Sequence, residues 1–257
     1  MHFKDQLHRK IELTGTPNRI ISLVPSQTEL LFDLGLRDKI VGITKFCVHP
    51  KELRKNKSIV GGTKQVDFKK ISALAPDIII CNKEENTKEM VARLETIAPV
   101  WVSDIYTIED TLEMICQFGT LFSVEEKAGE IAEAIITELQ AFKNFMGSKP
   151  TQKVAYVIWK NPYMVAGQNT FINHLLHLNK FENIFNHKDS RYPQIRMEEL
   201  DTADTVLLST EPFPFKNDDV DQLKNALSKK VHLVDGEYFS WYGSRLLEAF
   251  SYFKTLH

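Results

Sequence analysis

Short runs of apolar residues recur along the chain: RIISLV from Arg19, KIVGIT from Lys39, DIIICN from Asp77, PVWVSD from Pro99, KVAYVIW from Lys153, TVLLST from Thr205 and VHLVD from Val231. Most are rich in Val and Ile and barely alternate, which predicts strands buried on both faces, as in a parallel sheet. Amphipathic patterns such as NTKEMVARLETI and TIEDTLEMICQFGTLF lie between them and predict helices. Strand alternating with helix means an α/β fold with right-handed crossovers.

One segment breaks that rhythm. From Val124 the apolar positions Ala128, Ile131, Ile135, Leu139, Phe142 and Phe145 follow at steps of three and four. They make one continuous stripe on a long helix. Ser123 and Glu126 have capping-box spacing at its start, and Gly147 with Pro150 supplies its stop. A helix of this length spans roughly 35 Å and acts as a rigid strut, unlike a Gly/Ser linker. The expected division is an N-terminal α/β lobe over 1–122, a connecting helix over 123–147 and a C-terminal α/β lobe over 148–257.

The two halves have similar units. RIISLVPSQTELLFDLGL reads as strand, turn and helix, with Ser26 and Glu29 as a second capping box; the same order recurs in YVIWKNPYMVAGQNTFINHLLHLNKF. Ligands of open α/β sheets bind outside the carboxyl ends of strands. Two facing lobes would make a cleft, with the turn at Pro25 and Ser26 on its rim. Ser26 is a helix cap here rather than a nucleophile, since it has no G-x-S-x-G elbow.

Composition narrows the function. Lys plus Arg is 32 and Asp plus Glu is 34, a net charge of −2 without a basic stripe, which argues against nucleic acid. No apolar run is long enough to span a bilayer, and the start has no signal-peptide h-region. As written, the chain reads as cytoplasmic; with a leader missing it would be periplasmic or on the cell surface. Cys47, Cys81 and Cys116 form no C-x-x-C pair, so they read as reduced thiols, with Cys81 and Cys116 in the core. Three scattered cysteines also count against a cluster-bearing enzyme on the same scaffold. Asn173, His174 and His177 read as the polar side of a helix.

The order and spacing of RIISLVPSQTELLFDLGL, IVGITKFCVHP, VGGTKQVDFKKISALAPDIII, the strut, NPYMVAGQNTFINHLLHLNKFENIF, SRYPQIRMEEL and GEYFSWYGSRLLEAF resembles the helical-backbone, or class III, substrate-binding proteins of ABC importers. Those proteins serve cobalamin, haem and ferric siderophores. The resemblance implies two α/β lobes with mainly parallel sheets, joined by one long rigid helix. It implies a non-catalytic protein without an intrinsic cofactor, holding a metal chelate such as cobalamin or a ferric siderophore in the inter-lobe cleft. It places Phe46, His49 and Thr63 of the first lobe at the ligand, with Met164, Tyr192, Glu237, Tyr238, Trp241 and Arg245 of the second. Aromatic faces suit a broad, partly apolar disc. His49 is the one candidate for metal coordination. Glu198 is the acidic residue that would dock on a permease, whereas Lys69 stands where the first lobe's acid would be. Thr63 replaces a large aromatic ring of the cobalamin binders. The chain is expected to be monomeric and not to insert in a membrane. A bare divalent-metal receptor and a cytoplasmic chelate sensor or carrier are the alternative readings.

Overall fold

The computed structural model describes residues 1–257. In chain order its elements are β1 (His2–Lys4), β2 (Lys10–Glu12), β3 (Ile20–Ser22), α1 (Pro25–Asp33), β4 (Ile40–Ile43), α2 (Lys51–Asn56), β5 (Ser58–Ile59), α3 (Phe68–Ala73), β6 (Ile78–Asn82), α4 (Lys88–Leu94), β7 (Val100–Ser103), α5 (Ile108–Phe122), α6 (Glu125–Met146), β8 (Gln152–Trp159), β9 (Tyr163–Val165), α7 (Phe171–Leu178), β10 (Phe181–Asn183), β11 (Gln194–Ile195), β12 (Thr205–Ser209), α8 (Asn217–Leu227), β13 (Lys230–Val234), α9 (Gly236–Ser240) and α10 (Leu246–Lys254). The chain forms two compact units: Met1–Ile136 with Tyr242–Leu246, and Thr137–Trp241 with Leu247–His257. It passes from one to the other inside α6 and twice more near its end.

In the first unit a five-stranded sheet runs β5-β4-β3-β6-β7, with every pairing parallel. Both faces are covered, so Ile20, Ile21, Ile78, Ile79 and Ile80 are all fully buried. On one face Ile71, Leu94 and Val60 join the sheet's side chains in the core. Elsewhere in the unit Trp101, Phe118 and Phe122 form an edge-to-face series with centroids 5.8 and 5.6 Å apart. The antiparallel β1–β2 hairpin shields the free edge of β7: buried Asp5 accepts from the Val102 N–H at 3.2 Å and pairs with Arg9 at 2.7 Å.

The second unit's sheet runs β11-β9-β8-β12-β13, with β10 alongside β8. Strands β8, β10, β12 and β13 are parallel; β9 and β11 are antiparallel additions. A mainly parallel α/β architecture with flanking helices is therefore what the apolar runs specified.

Helix α6 has 22 residues, so it extends about 33 Å. The middle of its stripe is buried, Ala128, Ile131 and Ile135 in the first unit and Leu139 and Phe142 in the second, whereas its ends Val124 and Phe145 are half-buried and Met146, outside the expected stripe, is buried. Phe142 packs on Phe250 and Phe253 at 5.6 and 5.9 Å.

Several local expectations are corrected. The Ser26–Glu29 capping box does not form. Val24 occupies the N-cap and Pro25 the first helical position, where its fixed φ suits the helix and its missing N–H costs nothing. Ser26 thus lies inside α1. Ser123, expected to cap α6, instead closes α5 in a left-handed conformation with φ 55°. Cys116 is exposed on α5, not a core residue. Asn173 is buried and bonds Asn183 and Asn186, so the polar side of α7 is narrower than expected.

Candidate functional site

Parallel pairing brings the carboxyl ends of β3, β4, β5, β6 and β7 to one edge of the first sheet. The segments leaving that edge are the turn into α1, Thr44–Pro50, Val60–Val66 and Lys83–Thr87. Gly61, at φ +134°, opens a tight turn in which Gly62 N–H donates to the Gln65 carbonyl at 2.7 Å. The Lys45 N–H reaches the Gly61 carbonyl at 2.8 Å, and Asn86 Nδ2 reaches the Thr63 carbonyl at 2.8 Å. These bonds bind three loops into one rim.

Phe46 lies on that rim with 49% of its surface exposed, next to Gly62, where a Cβ would meet its ring at 3.1 Å. The Lys45 ammonium sits 5.0 Å from the Phe46 centroid. His49 is half-buried a short way along the same loop, and Thr63 is half-buried in the neighbouring one. Phe46, His49 and Thr63, which the family resemblance put at a ligand, thus lie on loops that leave one edge of the first sheet.

Beneath the rim lies a buried polar layer. Gln27 Nε2 donates to Ser103 Oγ at 2.5 Å and to the Tyr242 hydroxyl at 3.0 Å, with Ser26 beside the same phenol. Thr28 and Thr44 flank the Cys47 sulfur at 3.1 and 3.3 Å. Burial raises the Cys47 thiol above its ordinary range, so it stays protonated at neutral pH. Pro25 and Ser26 are wholly in this layer rather than exposed at the rim. Tyr242 brings the segment Tyr242–Leu246 with it. Ser244 Oγ donates to Asp33 at 2.5 Å, and Arg245 forms a bidentate pair with Glu29 at 2.6 and 3.0 Å. The guanidinium is thus engaged by a carboxylate of α1, and it belongs to the first unit rather than the second.

In the second unit, the carboxyl ends of β8, β12 and β13 carry Trp159, Thr210–Phe213 and Asp235–Tyr238. Met164 of β9 pairs with Trp159 on one side and with Gln194 of β11 on the other. Tyr192 lies two residues before Gln194, half-buried. Glu237 and Tyr238 are on α9, both half-buried. The Tyr238 ring stacks on Tyr252 at 4.7 Å, and its hydroxyl donates to Glu248 at 3.2 Å. Trp241 is buried, its indole N–H donating to Glu211 at 3.1 Å. Glu198 is exposed on a 3-10 turn six residues after Tyr192, and Lys69 is exposed on α3 six residues after Thr63.

As site residues the sequence reading left out Gln27, Trp159 and Glu211, and it gave Glu29 only a capping role. Trp159 ends a strand with 39% of its surface exposed and packs edge-to-face on Phe213 at 5.6 Å. Its position as the last residue of an apolar run was a usable signal; for Glu211 the signal was its place in TEPFPFK, Thr210 to Lys216, a candidate rim loop that follows a strand. No group of three or more His, Cys, Asp or Glu side chains could hold a metal ion. No helix is long and apolar enough to cross a membrane.

The chain matches the family described as "Periplasmic binding protein" over residues 20–226, and it belongs to that family. It is 25% identical over 208 residues to a vitamin B12-binding protein of Vibrio campbellii, covering 79% of this chain and 74% of the relative. It is 23% identical over 259 residues to an ABC transporter substrate-binding lipoprotein of Bacillus subtilis, covering 95% and 81%. Its fold matches the periplasmic vitamin B12 binding protein of Vibrio cholerae with a TM-score of 0.80 at 21% identity, over 93% of this chain and 98% of that one. A periplasmic haem-binding protein from Pseudomonas aeruginosa superposes with a TM-score of 0.81 at 21% identity, over 93% and 92%.

Proposed function

We propose that this member of the periplasmic binding protein family captures a metal-containing small molecule, a corrinoid, haem or ferric siderophore, for delivery to an ABC permease. It makes and breaks no bond. The observation that carries the reading is the exposed Phe46 ring beside His49, on a rim built by the carboxyl ends of a parallel sheet. Such a rim is where α/β sheets take ligands, and a half-exposed aromatic ring there suits a flat macrocycle or chelate. Relatives named for vitamin B12 or haem supply the ligand class. A bare divalent-metal receptor would need three or four converging ligands, and no such group is present.

Contact surfaces on this reading are the rim around Phe46, His49 and Thr63 in the first unit, with the loops around Met164, Tyr192 and Glu237 in the second. His49 is the candidate axial ligand if the guest is haem or a corrinoid. Glu198 is the candidate permease contact of the second unit, and Lys69 the corresponding basic residue of the first. Relatives named as periplasmic proteins or a lipoprotein support work in the periplasm or at the cell surface over a cytoplasmic carrier.

The test is a titration of the purified protein with cyanocobalamin, haemin and a ferric catecholate, followed by absorbance. Saturable one-to-one binding of one of them is expected. If all three fail to bind while free Zn²⁺ does, the chelate reading is wrong.

A further inference from the structure

The loop after β12 holds a carboxylate that none of the roles above employs. Glu211 follows β12, an inner strand of the second sheet between β8 and β13, and its carboxylate is largely withdrawn from water. Ser240 Oγ donates to its Oε1, and the Trp241 indole N–H donates to the same atom at 3.1 Å. Its backbone is held as firmly. Ser209 Oγ donates to the Glu211 carbonyl at 2.6 Å, and the Tyr156 hydroxyl lies 3.1 Å from that Ser209 oxygen. Gly236 opens α9 directly against it: a Cβ there would stand 2.6 Å from Glu211 Cγ.

The groups facing this carboxyl are acids and phenols. Asp235 and Glu237 come from the start of α9, Tyr156 from β8, and Tyr252 of α10 stands behind Asp235, accepting its N–H at 2.8 Å. No Lys, Arg or His pairs with Glu211. Both charge states are nonetheless hydrogen-bonded. As a carboxylate, Glu211 accepts from Ser240 and Trp241. As an acid, its O–H can donate to Ser240 Oγ, whose own proton then goes to the Gly236 carbonyl, already 2.9 Å away. The indole is held by a charge-assisted bond in the first state and by an ordinary one in the second.

We propose that Glu211 is a positioning residue for Trp241, and that the proton it gains or loses sets how firmly the indole is held. Burial, reinforced by Glu237 and Asp235, pushes the Glu211 carboxyl up to about 7, within reach of small changes in acidity. The proposed function puts the Glu237 segment at the guest, and Trp241 closes the helix that carries Glu237; where the indole borders that guest, ligand affinity becomes pH-dependent in the same range, a consequence that rests on the proposed function, whereas the coupling to the indole does not.

The experiment is intrinsic fluorescence of the full chain, without ligand, from about pH 5.5 to 8.5. The chain also contains Trp101 and Trp159, so the difference between the parent and Trp241→Phe isolates the indole of interest. A sigmoidal change with a midpoint near 7 is expected in that difference signal, and it is expected to vanish in Glu211→Gln, whose amide oxygen still accepts from the indole. Ser240→Ala removes a donor that favours the charged form, so it should move the midpoint to higher pH. A transition that persists in Glu211→Gln, no transition in the folded parent, or an unmoved midpoint in Ser240→Ala would each overturn the proposal. In a second arm, cyanocobalamin and haemin affinities are compared at pH 6 and 8. More than a roughly twofold dependence in the parent, flattened in Glu211→Gln, supports the link to binding. An equal dependence in both overturns it. If neither probe binds, the ligand reading fails and the fluorescence arm alone decides the role of Glu211.

Discussion

At the scale of single residues, the balance between burial and pairing explains what the side chains do. The Glu29–Arg245 pair is withdrawn from solvent, with side-chain exposures of 15% and 9%. Removing one member takes the bidentate partner from a charge held largely out of water, which costs more than the pair's net stabilisation. Arg245→Ala is therefore expected to lower stability by about 3 kcal/mol in urea unfolding, and Glu29→Gln/Arg245→Met together by less than either single change. Glu211 has the opposite character, a buried acid without a cation. Its folded-state value of about 7 lies above the ordinary 4.5, so the native state holds the proton more tightly than the unfolded chain. The stabilisation is complete below about pH 4.5 and is lost as pH rises through 7, amounting to at most roughly 3 kcal/mol. Thermal melts of the parent and Glu211→Gln across this range should converge in slope at the alkaline end and diverge between. Phe46 is exposed, so Phe46→Ala should leave the melting temperature within about 2 °C while weakening chelate binding roughly tenfold or more. A large fall in stability would instead make Phe46 a packing residue.

At the scale of elements, backbone geometry governs the rim. Gly61 holds φ +134°, and a Cβ there would stand 2.6 Å from the Gln65 carbonyl oxygen. Gly61→Ala should destabilise by about 1–3 kcal/mol and loosen the turn that carries Thr63. Amide exchange of Gly62 and Lys45, whose N–H groups bond within this rim, would report the loosening. Helix α6 shows how an element inherits its role from period alone. Its buried stripe of Ile131, Ile135, Leu139 and Phe142 was legible because a 3.6-residue repeat needs no tertiary knowledge. Its first cap was not legible, because Ser123 satisfies the capping pattern while also standing where α5 must end. The same competition displaced Ser26: a proline one residue earlier takes the first helical position and moves the cap to Val24.

At the scale of the whole molecule, each unit is built on a sheet, wholly parallel in the first and mainly parallel in the second, covered by helices, and the family match extends over residues 20–226. Parallel order is what gathers loops distant in sequence at one edge, so Phe46, Thr63 and Asn86 meet without being neighbours in the chain. The segment Tyr242–Leu246 lies with the first unit although the residues on both sides of it lie with the second. That placement is why Arg245 meets Glu29. If a permease reads the acid on the second unit, Glu198→Lys should abolish transport in reconstituted vesicles while leaving ligand affinity unchanged, and Lys69→Glu should strengthen docking. Equal transport by all three proteins would remove both residues from the interface.

The amino-acid sequence by itself determined the α/β class, the long helix and seven of the thirteen strands, β3, β4, β6, β7, β8, β12 and β13, because these follow from local period. The loop that bears Phe46 and His49 was reached through the family resemblance, and the short strands β1, β2, β5, β9, β10 and β11 carry too few residues to show a period. Only the tertiary structure decided which partners the charged and polar groups take. Arg245 faces Glu29, Trp241 faces Glu211 and Tyr242 faces Gln27 because chain segments remote in sequence converge there. Burial and pairing arise from that convergence, and no local pattern encodes it.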